Sequence, residues 1–339
     1  MKKVTDSVML TAAISLLFLS GCGSTDTSYN KYPDIVLILI DTIRADHLSI
    51  NGYYRETTPV LDSLASSGTV FTRVQGQSSW TLPAMTSILT GLSQRSHGAG
   101  NTGGILYGID PAFPTIPHLV KHEAGYQTAA FFNVIFMNEN FGFQQSFDYF
   151  DCHGFENSPD LRNAEETVSD YLEWYDANRD STRPLFSAIH FFDPHLPYDA
   201  PQPWDTLYSN PKADRLFNKF WGSENDVLEL NRGLVEIDST SLAIMIGLYD
   251  AELSFTDSQI GRLITELRNR NAADNTVFII IGSNGEEFLE HGGMGHGYTL
   301  YQEVLNVPLI ISGRNIPVAV NNEMAAQMDI MPIILECWG

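Results

Sequence analysis

Polar side chains capable of chemistry follow several apolar runs of the sequence. The apolar runs end near positions 40, 132, 192 and 281, and the polar residues after them are Asp41, Asn133, Asp193, His195, Ser283 and Asn284. Runs of this kind predict strands that are buried on both faces of a sheet. Because ligands of open α/β sheets bind beyond the carboxyl ends of the strands, we expect these side chains to converge on one site.

A second chemical signal is a hydroxyl group at a predicted helix start. Thr81 and Pro83 open a short helical pattern that ends at Gly91, and this placement of proline and glycine is typical of helix termini. We expect Thr81 to cap the helix, where unpaired N–H groups and the helix dipole favour anions and alkoxides. An ordinary N-cap, worth about 1 kcal/mol, gives the same local pattern.

The elements that must position these residues alternate between strands and helices. Strands are predicted at 34–40, 128–132, 185–192, 277–281 and 307–311. Helical periodicity is found from Pro59 to a stop at Gly68, over 116–122, from Ala164 onward, over 240–270, and for about two turns after Pro332. This alternation predicts an α/β sheet covered by helices on both faces.

Composition narrows the possible classes of function. The 339 residues include 41 acidic and 19 basic side chains, which gives a formal charge of −22, and 43% are apolar. The chain can bury a large core, and the negative charge argues against nucleic acid as a partner. Three cysteines do not form a disulfide framework, although Cys152 and Cys337 have the option of pairing in an oxidising compartment.

The N-terminus is interpreted as a targeting segment. Lys2 and Lys3 precede an apolar stretch too short to span a membrane well, which is typical of a signal peptide covering residues 1–21. The small residues before Cys22 resemble the bacterial lipoprotein cleavage box, which implies lipidation of Cys22. We therefore expect an exported, lipid-anchored protein of the cell envelope (periplasm or outer membrane), with a flexible tether over 22–33 and a catalytic domain over 34–339. A plain signal peptide with an incidental cysteine is the alternative.

Ordered motifs extend this interpretation over roughly residues 33 to 339. They lie at 41–47, 57–62, 81–83, 193–198, 249–252, 285–292 and 295–297. Together they resemble the sulfatase-like branch of the alkaline phosphatase superfamily, and a series of motifs in one order is far more specific than any short motif. The resemblance implies a largely parallel, mixed central sheet with helices on both faces. It also implies that the chain, ending at 339, lacks the small C-terminal subdomain found in many relatives.

The resemblance also assigns roles. It implies catalytic residues Thr81, His195 and His296; metal ligands Asp41, Asn284 and Thr81, with Ser283 at the position of a family carboxylate; and substrate contacts from Asn133, Asp193 and Arg44. One divalent cation (Ca, Mg, Mn or Zn) would lower the pKa of the nucleophile and offset charge on an anionic ester. Histidines suit proton transfer to the leaving group because they titrate near neutral pH.

Two positions distinguish this chain from formylglycine sulfatases. Those enzymes carry Cys or Ser at the position of Thr81 and Arg at that of Met85. Threonine at the nucleophile position is more similar to the phosphodiesterases and the phosphoglycerol or phosphoethanolamine transferases of the superfamily, which use a covalent intermediate.

Two further positions concern the metal. Ser283 replaces the family Asp, and Thr42 replaces a second Asp found after the first strand of many sulfatases. A hard cation prefers carboxylate ligands, so its binding should be weak or lost unless Glu286 or Glu287 compensates.

The sequence therefore favours a metal-dependent hydrolase of sulfate or phosphate esters with Thr81 as nucleophile. The alternatives are a phosphodiesterase or transferase of the threonine type, and a catalytically impaired lipoprotein that binds such ligands without turnover. A purely structural lipoprotein is disfavoured by the order of the motifs.

Overall fold

The computed structural model describes residues 31–154, 160–209 and 224–337. The signal peptide, the lipidation site Cys22 and nearly all of the tether lie outside these ranges, so the predictions made for them stay predictions. Within the described ranges, none of the helices combines the length and the apolar character needed to cross a membrane.

Strands and helices alternate along the described chain. The strands are β1 (Asp34–Ile40), β2 (Gly68–Phe71), β3 (Val74–Gln75), β4 (Gly100–Thr102), β5 (Ile105–Tyr107), β6 (Gln127–Phe132), β7 (Tyr149–Cys152), β8 (Leu185–Phe191), β9 (Thr276–Gly282), β10 (Glu287–Phe288), β11 (Met294–Gly295), β12 (Leu309–Gly313), β13 (Ala319–Asn321) and β14 (Ala325–Ala326). The helices are α1 (Pro59–Ser66), α2 (Thr81–Thr90), α3 (Gln94–His97), α4 (Ile116–Ala124), α5 (Ala164–Asn178), α6 (Glu224–Asn231), α7 (Ser239–Asn269), α8 (Gln302–Leu305) and α9 (Ile330–Glu336).

The central sheet of the described residues has eight strands in the order β13-β2-β12-β9-β1-β8-β6-β7. From β9 to β7 all neighbours are parallel, whereas β12 runs antiparallel to both β9 and β2. The small pairs β10-β11, β14-β3 and β4-β5 lie outside this sheet. The predicted α/β fold with a mixed, largely parallel sheet is confirmed.

Strand β1 lies in the interior of the sheet between β9 and β8, and every residue after Asp34 in it is apolar. Val36, Ile38 and Ile40 pack into one core with α1, α5 and α7, whereas Leu37 and Leu39 pack into a second core with α2, α4 and α9. Alternate side chains of a strand point to opposite faces, so a strand between two helical layers needs a continuous apolar run.

Three local predictions need correction. Gly68 follows α1 as expected but also begins β2, which pairs with β12. Trp80, in extended conformation, is the residue before α2, and Thr81 is the first helical residue rather than the cap. Cys152 and Cys337 are free thiols, so the pairing that the sequence left open is not formed.

Candidate active site

The carboxyl ends of β1, β8 and β9 bring the predicted polar residues to one edge of the sheet. The Asp41 N–H donates to Phe191 O at 3.0 Å, and the Ser283 N–H donates to Ile40 O at 3.0 Å. Gln327, also buried, donates from Nε2 to the carbonyl oxygens of Gly282 and Ser283 at 2.7 and 2.5 Å. The backbone around this edge is therefore fixed by the sheet ladder and by one amide side chain.

Four oxygen-bearing side chains meet there. Ser283 Oγ donates to Asp41 Oδ1 at 2.5 Å, and Thr81 Oγ1 lies 3.3 and 3.2 Å from the two carboxylate oxygens of Asp41. Asn284 Oδ1 lies 3.1 Å from Ser283 Oγ. None of the four residues is more than 3% exposed. We call this group the Asp41 cluster.

Asp41 is the charged member of the cluster. Burial alone would raise the pKa of its carboxyl, but contacts with His190, His195 and Ser283 outweigh burial and hold the pKa below its usual range. His190 Nε2 lies 3.5 Å from Asp41 Oδ2, which is too long for a normal hydrogen bond. Neither ring nitrogen of this buried histidine has a hydrogen-bond partner among the described residues. Asp41 is therefore ionised at neutral pH.

Thr81 projects from the start of α2 toward this carboxylate. Its hydroxyl donates to Asp41 instead of accepting a helix N–H, which is why the predicted capping contact is not made. All residues of α2 are buried, so the helix start has a fixed position. The hydroxyl thus sits both at the positive end of a helix dipole and against a carboxylate.

The types of ligand atom in the Asp41 cluster are those that a hard cation prefers. Carboxylate, amide and hydroxyl oxygens are the ligands that Ca²⁺ and Mg²⁺ take, and the oxygens of the cluster already converge. Asn284 donates from Nδ2 to Gly285 O at 2.9 Å, which leaves its Oδ1 on the side of Ser283. Asp41 supplies the single carboxylate of the four residues, so the cluster offers less charge than most divalent sites.

The two predicted histidines are neighbours. The rings of His195 and His296 are edge to face with centroids 4.9 Å apart. His195 Nδ1 lies 2.7 Å from Leu196 O and must carry the hydrogen, because a carbonyl oxygen can only accept. Burial, reinforced by nearby His296, lowers the pKa of His195. His195 is therefore neutral at neutral pH.

His296 reaches the site on a loop tied to the nucleophile segment. The N–H of Gly297 donates to Ser79 O at 2.7 Å, two residues before Thr81. His296 Nδ1 lies 3.0 Å from Glu286 Oε1.

Neither neighbouring glutamate compensates for Ser283. The Glu286 carboxylate contacts His296 and Tyr198, and that of Glu287 contacts Thr299 and the N–H of Gly293. The expectation that one of them would supply the missing metal carboxylate is not met in this structure.

Asp193 is not part of the Asp41 cluster and lies near Glu252 instead. Its carboxylate accepts from the backbone N–H groups of Asp193 and Ala164, while its Oδ2 has no hydrogen-bond partner among the described residues. Burial raises the pKa of Asp193 to about 6. The nearby Glu252 carboxyl is also buried, and burial together with Asp193 raises its pKa well above the usual range.

Arg44 and Asn133, predicted to contact substrate, are occupied by the protein. The Arg44 guanidinium donates to Asp46 at 2.7 and 2.9 Å and to Glu290 at 2.5 Å. Asn133 donates from Nδ2 to Thr167 Oγ1 and His190 O, and its Oδ1 accepts from Arg162. Both side chains are buried, and their contacts favour a role in holding the strand ends, while the predicted substrate contacts stay predictions.

A separate group, Asp151, His153 and Asp170, also has metal-binding spacing, with ligand atoms within 4.8 Å of one another. Asp151 lies in the edge strand β7, His153 follows it and Asp170 lies in α5. Arg162 donates to both carboxylates at 2.5 and 2.9 Å. Sequence reasoning missed this group as well as His190 and Gln327. The sequence signal for His190 is the presence of a histidine in the mostly apolar strand β8.

Comparison with known proteins identifies a family to which the chain is similar. The family model described as Sulfatase matches residues 33–339. An arylsulfatase of Clostridium perfringens is 24% identical over 365 aligned positions, which cover 90% of this chain and 74% of that protein. A sulfatase of Formosa agariphila is 25% identical, with 91% of this chain and 69% of that protein covered.

Solved structures share the fold. A phosphonate monoester hydrolase of Agrobacterium radiobacter superposes with a TM-score of 0.72 at 20% identity, covering 91% of this chain and 74% of that one. A protein solved with its substrate D-glucosamine-2-N,6-O-disulfate gives a TM-score of 0.71 at 18% identity, with 91% and 77% covered.

Proposed function

The chain belongs to the sulfatase family of ester hydrolases, and from this premise we propose that it cleaves a sulfate or phosphate ester with Thr81 as the nucleophile. The observation that carries the proposal is the hydrogen bond from Thr81, at the start of α2, to the ionised Asp41. The substrate classes are supported by relatives named as sulfatases and by a structural neighbour named as a phosphonate monoester hydrolase.

The chemistry follows from the positions of the side chains. Thr81 Oγ1 forms a bond to the sulfur or phosphorus atom, and its proton passes to Asp41, to which it is already hydrogen-bonded. The bond to the leaving oxygen breaks, and that oxygen takes a proton from His296. Water then attacks the sulfur or phosphorus atom and gives a proton to His296. The bond from that atom to Thr81 Oγ1 breaks, Thr81 recovers its proton from Asp41, and the inorganic anion is released. The start of α2 stabilises the charge that develops at Thr81.

A hard divalent cation at the Asp41 cluster would be held by the oxygens of Asp41, Asn284, Thr81 and Ser283. When bound, it would supply positive charge that lowers the pKa of the attacking hydroxyl and offsets charge on the ester. Members of the family generally use such an ion. With one carboxylate among four ligands, we propose weak binding of Ca²⁺, Mg²⁺, Mn²⁺ or Zn²⁺.

The decisive experiment compares wild type with Thr81→Ala on p-nitrophenyl sulfate, p-nitrophenyl phosphate, phenylphosphonate monoesters and a phosphodiester, each with the four cations. We expect kcat to fall by at least about 10³-fold. Thr86→Ala is the matched control, because Thr86 is buried in the same helix but donates to Leu82 O at 2.8 Å. Equal rates for wild type and Thr81→Ala would sink the nucleophile assignment.

A second candidate is a protein that binds anionic esters without turnover. The observation favouring it is the 2.5 Å hydrogen bond from Ser283 to Asp41, at a position where the family carries a carboxylate. Wild type that binds these esters but is inactive on all of them would favour this candidate.

We further propose export and anchoring through Cys22, supported by the sequence pattern around it. Metabolic labelling with a radioactive fatty acid should mark the wild-type chain and leave Cys22→Ala unlabelled. Labelling of both proteins would contradict the assignment.

A further inference from the structure

Two adjacent glutamates after β9 have different surroundings. Glu286 and Glu287 are both buried, at 0% and 1% exposure. Glu287 accepts from Thr299 Oγ1 at 2.8 Å and from the Gly293 N–H at 3.3 Å, so it ties the β10-β11 loop together. Glu286 instead lies 3.0 Å from His296 Nδ1. The two glutamates are equivalent in the local sequence, but their carboxylates have different partners in the structure.

The backbone at Glu286 is fixed from both sides. Arg44 donates from Nη1 to Glu286 O at 3.0 Å. At Gly285, an added Cβ would lie 2.0 Å from Glu303 O, so glycine alone lets the chain pass there. The Tyr198 hydroxyl, 3.4 Å from Oε2, approaches the second carboxylate oxygen. The carboxylate of Glu286 is therefore held in one place before any ligand binds.

This placement determines which nitrogen of His296 holds a hydrogen. A carboxylate can only accept, so the hydrogen of His296 lies on Nδ1 and the proton exchanged in chemistry is carried by Nε2. His195 is fixed differently, because its Nδ1–H donates to the neutral carbonyl of Leu196. With ring centroids 4.9 Å apart, the two imidazoles cannot both be charged without repulsion. A side-chain carboxylate therefore fixes the ring of His296, whereas a backbone carbonyl fixes that of His195.

We propose that Glu286 is a positioning residue that holds the Nδ1–H of His296 and fixes the orientation of its ring, so that Nε2, which carries the second hydrogen in the imidazolium form, faces the leaving oxygen and gives that proton to it. This inference rests on the proposed ester hydrolysis, in which His296 protonates the leaving group. Partners of this kind orient metal-binding histidines, where their loss typically costs 10- to 100-fold in metal affinity or activity.

The kinetic test uses Glu286→Gln, which keeps the size of the side chain but removes its charge. We expect kcat to fall about 10- to 100-fold with KM changed less than about threefold, and Glu286→Asp to recover part of the loss. Glu287→Gln is the matched control, since it alters an adjacent buried carboxylate that does not contact His296. It should stay within about twofold of wild type in kcat. Equal losses in both variants would overturn the inference.

A spectroscopic test separates this inference from the proposed function. Two-bond ¹H–¹⁵N correlation spectra of ¹⁵N-histidine-labelled protein, assigned with His296→Gln, report which ring nitrogen is protonated. We expect His296 to carry its hydrogen on Nδ1 in wild type and in Glu287→Gln, and to lose this pattern in Glu286→Gln. A wild-type ring with a bare Nδ1 overturns the inference even if no variant folds. The expected pattern in a protein without ester hydrolysis supports the positioning by Glu286 and overturns the proposed function alone.

Discussion

Asp250 and Asp41 are both completely buried aspartates, yet their surroundings differ. Asp250 accepts from His47 at 2.7 Å, from Tyr53 at 2.8 Å and from Arg55 at 2.5 Å. Asp41 accepts from hydroxyl groups and a backbone N–H, and a histidine lies 3.5 Å from it outside normal hydrogen-bonding range.

This difference indicates that Asp250 stabilises the fold, whereas Asp41 is suited to catalysis or cation binding. A buried charge is costly unless a cation and hydrogen bonds compensate it. Arg55 provides that compensation for Asp250 within the fold. The contacts of Asp41 are hydroxyl groups, a backbone N–H and a histidine 3.5 Å away rather than a guanidinium, which leaves its charge available to an external cation or to a proton transfer.

Asp193 is a third buried aspartate, and its charge is compensated in neither of these two ways. Its carboxyl group accepts from backbone N–H groups, and one of its oxygens has no hydrogen-bond partner in the described ranges. With no cation beside it, burial raises its pKa instead, and the group takes up a proton near pH 6.

The largest expected effect is on stability. Asp250→Asn should lower the free energy of unfolding by about 3 kcal/mol, because it leaves the partly exposed Arg55 and the buried His47 beside a neutral amide. Asp41→Asn should lower it by less, because the remaining amide oxygen can still accept from Ser283 and no guanidinium is left beside an uncharged partner. Urea unfolding of both variants measures this, and equal destabilisation would refute the distinction.

A smaller effect concerns pH. The folded-state pKa of Asp193, about 6, exceeds its unfolded value, so its contribution to stability is complete below about pH 4 and is lost as pH rises through 6. Asp193→Asn should therefore flatten the fall in unfolding free energy between pH 4 and 7, by at most about 3 kcal/mol. Asp41, whose pKa is lowered, has the opposite sign and loses its contribution as pH falls below about 4. Unchanged pH profiles in Asp193→Asn, measured by thermal unfolding, would contradict this assignment.

The smallest expected effect tests the charge of the Asp41 cluster. Ser283→Asp adds a second carboxylate, which should tighten Ca²⁺ or Mn²⁺ binding about tenfold or more. Without cation, like charges should lower the melting temperature, and added cation should restore it. Calorimetric titration compares this variant with Ser283→Ala, which removes the hydroxyl without adding charge. Equal affinity of Ser283→Asp and Ser283→Ala would show that the cluster does not bind cations through position 283.

Local pattern predicted some parts of the molecule well. The bounds of β1 and of α7 follow closely from the spacing of their apolar residues. A strand buried on both faces requires a continuous apolar run, and a helix buried along one side requires apolar residues at helical spacing. The sequence correctly predicts that Thr81 lies at a helix start, but the predicted capping contact is wrong, because the hydroxyl donates to Asp41. A cap and a hydroxyl turned toward Asp41 have the same local sequence, and Asp41 lies 40 residues away.

The remaining partners depend on residues far apart in the chain. Arg44 donates to Glu290, which lies 246 positions later in the chain, and no local pattern predicts this contact. Glu286 and Glu287 share one local pattern, and the fold alone assigns one of them to His296.

By itself, the sequence determined the alternation of strands and helices and the order of polar residues at the strand ends. Both follow from burial, which requires apolar side chains at regular spacing. The tertiary structure decided which group each polar atom contacts, as with Ser283 and Asp41, 242 positions apart and 2.5 Å from each other. Hydrogen bonds and charge interactions depend on distances of a few ångströms, and these exist only once the sheet has assembled.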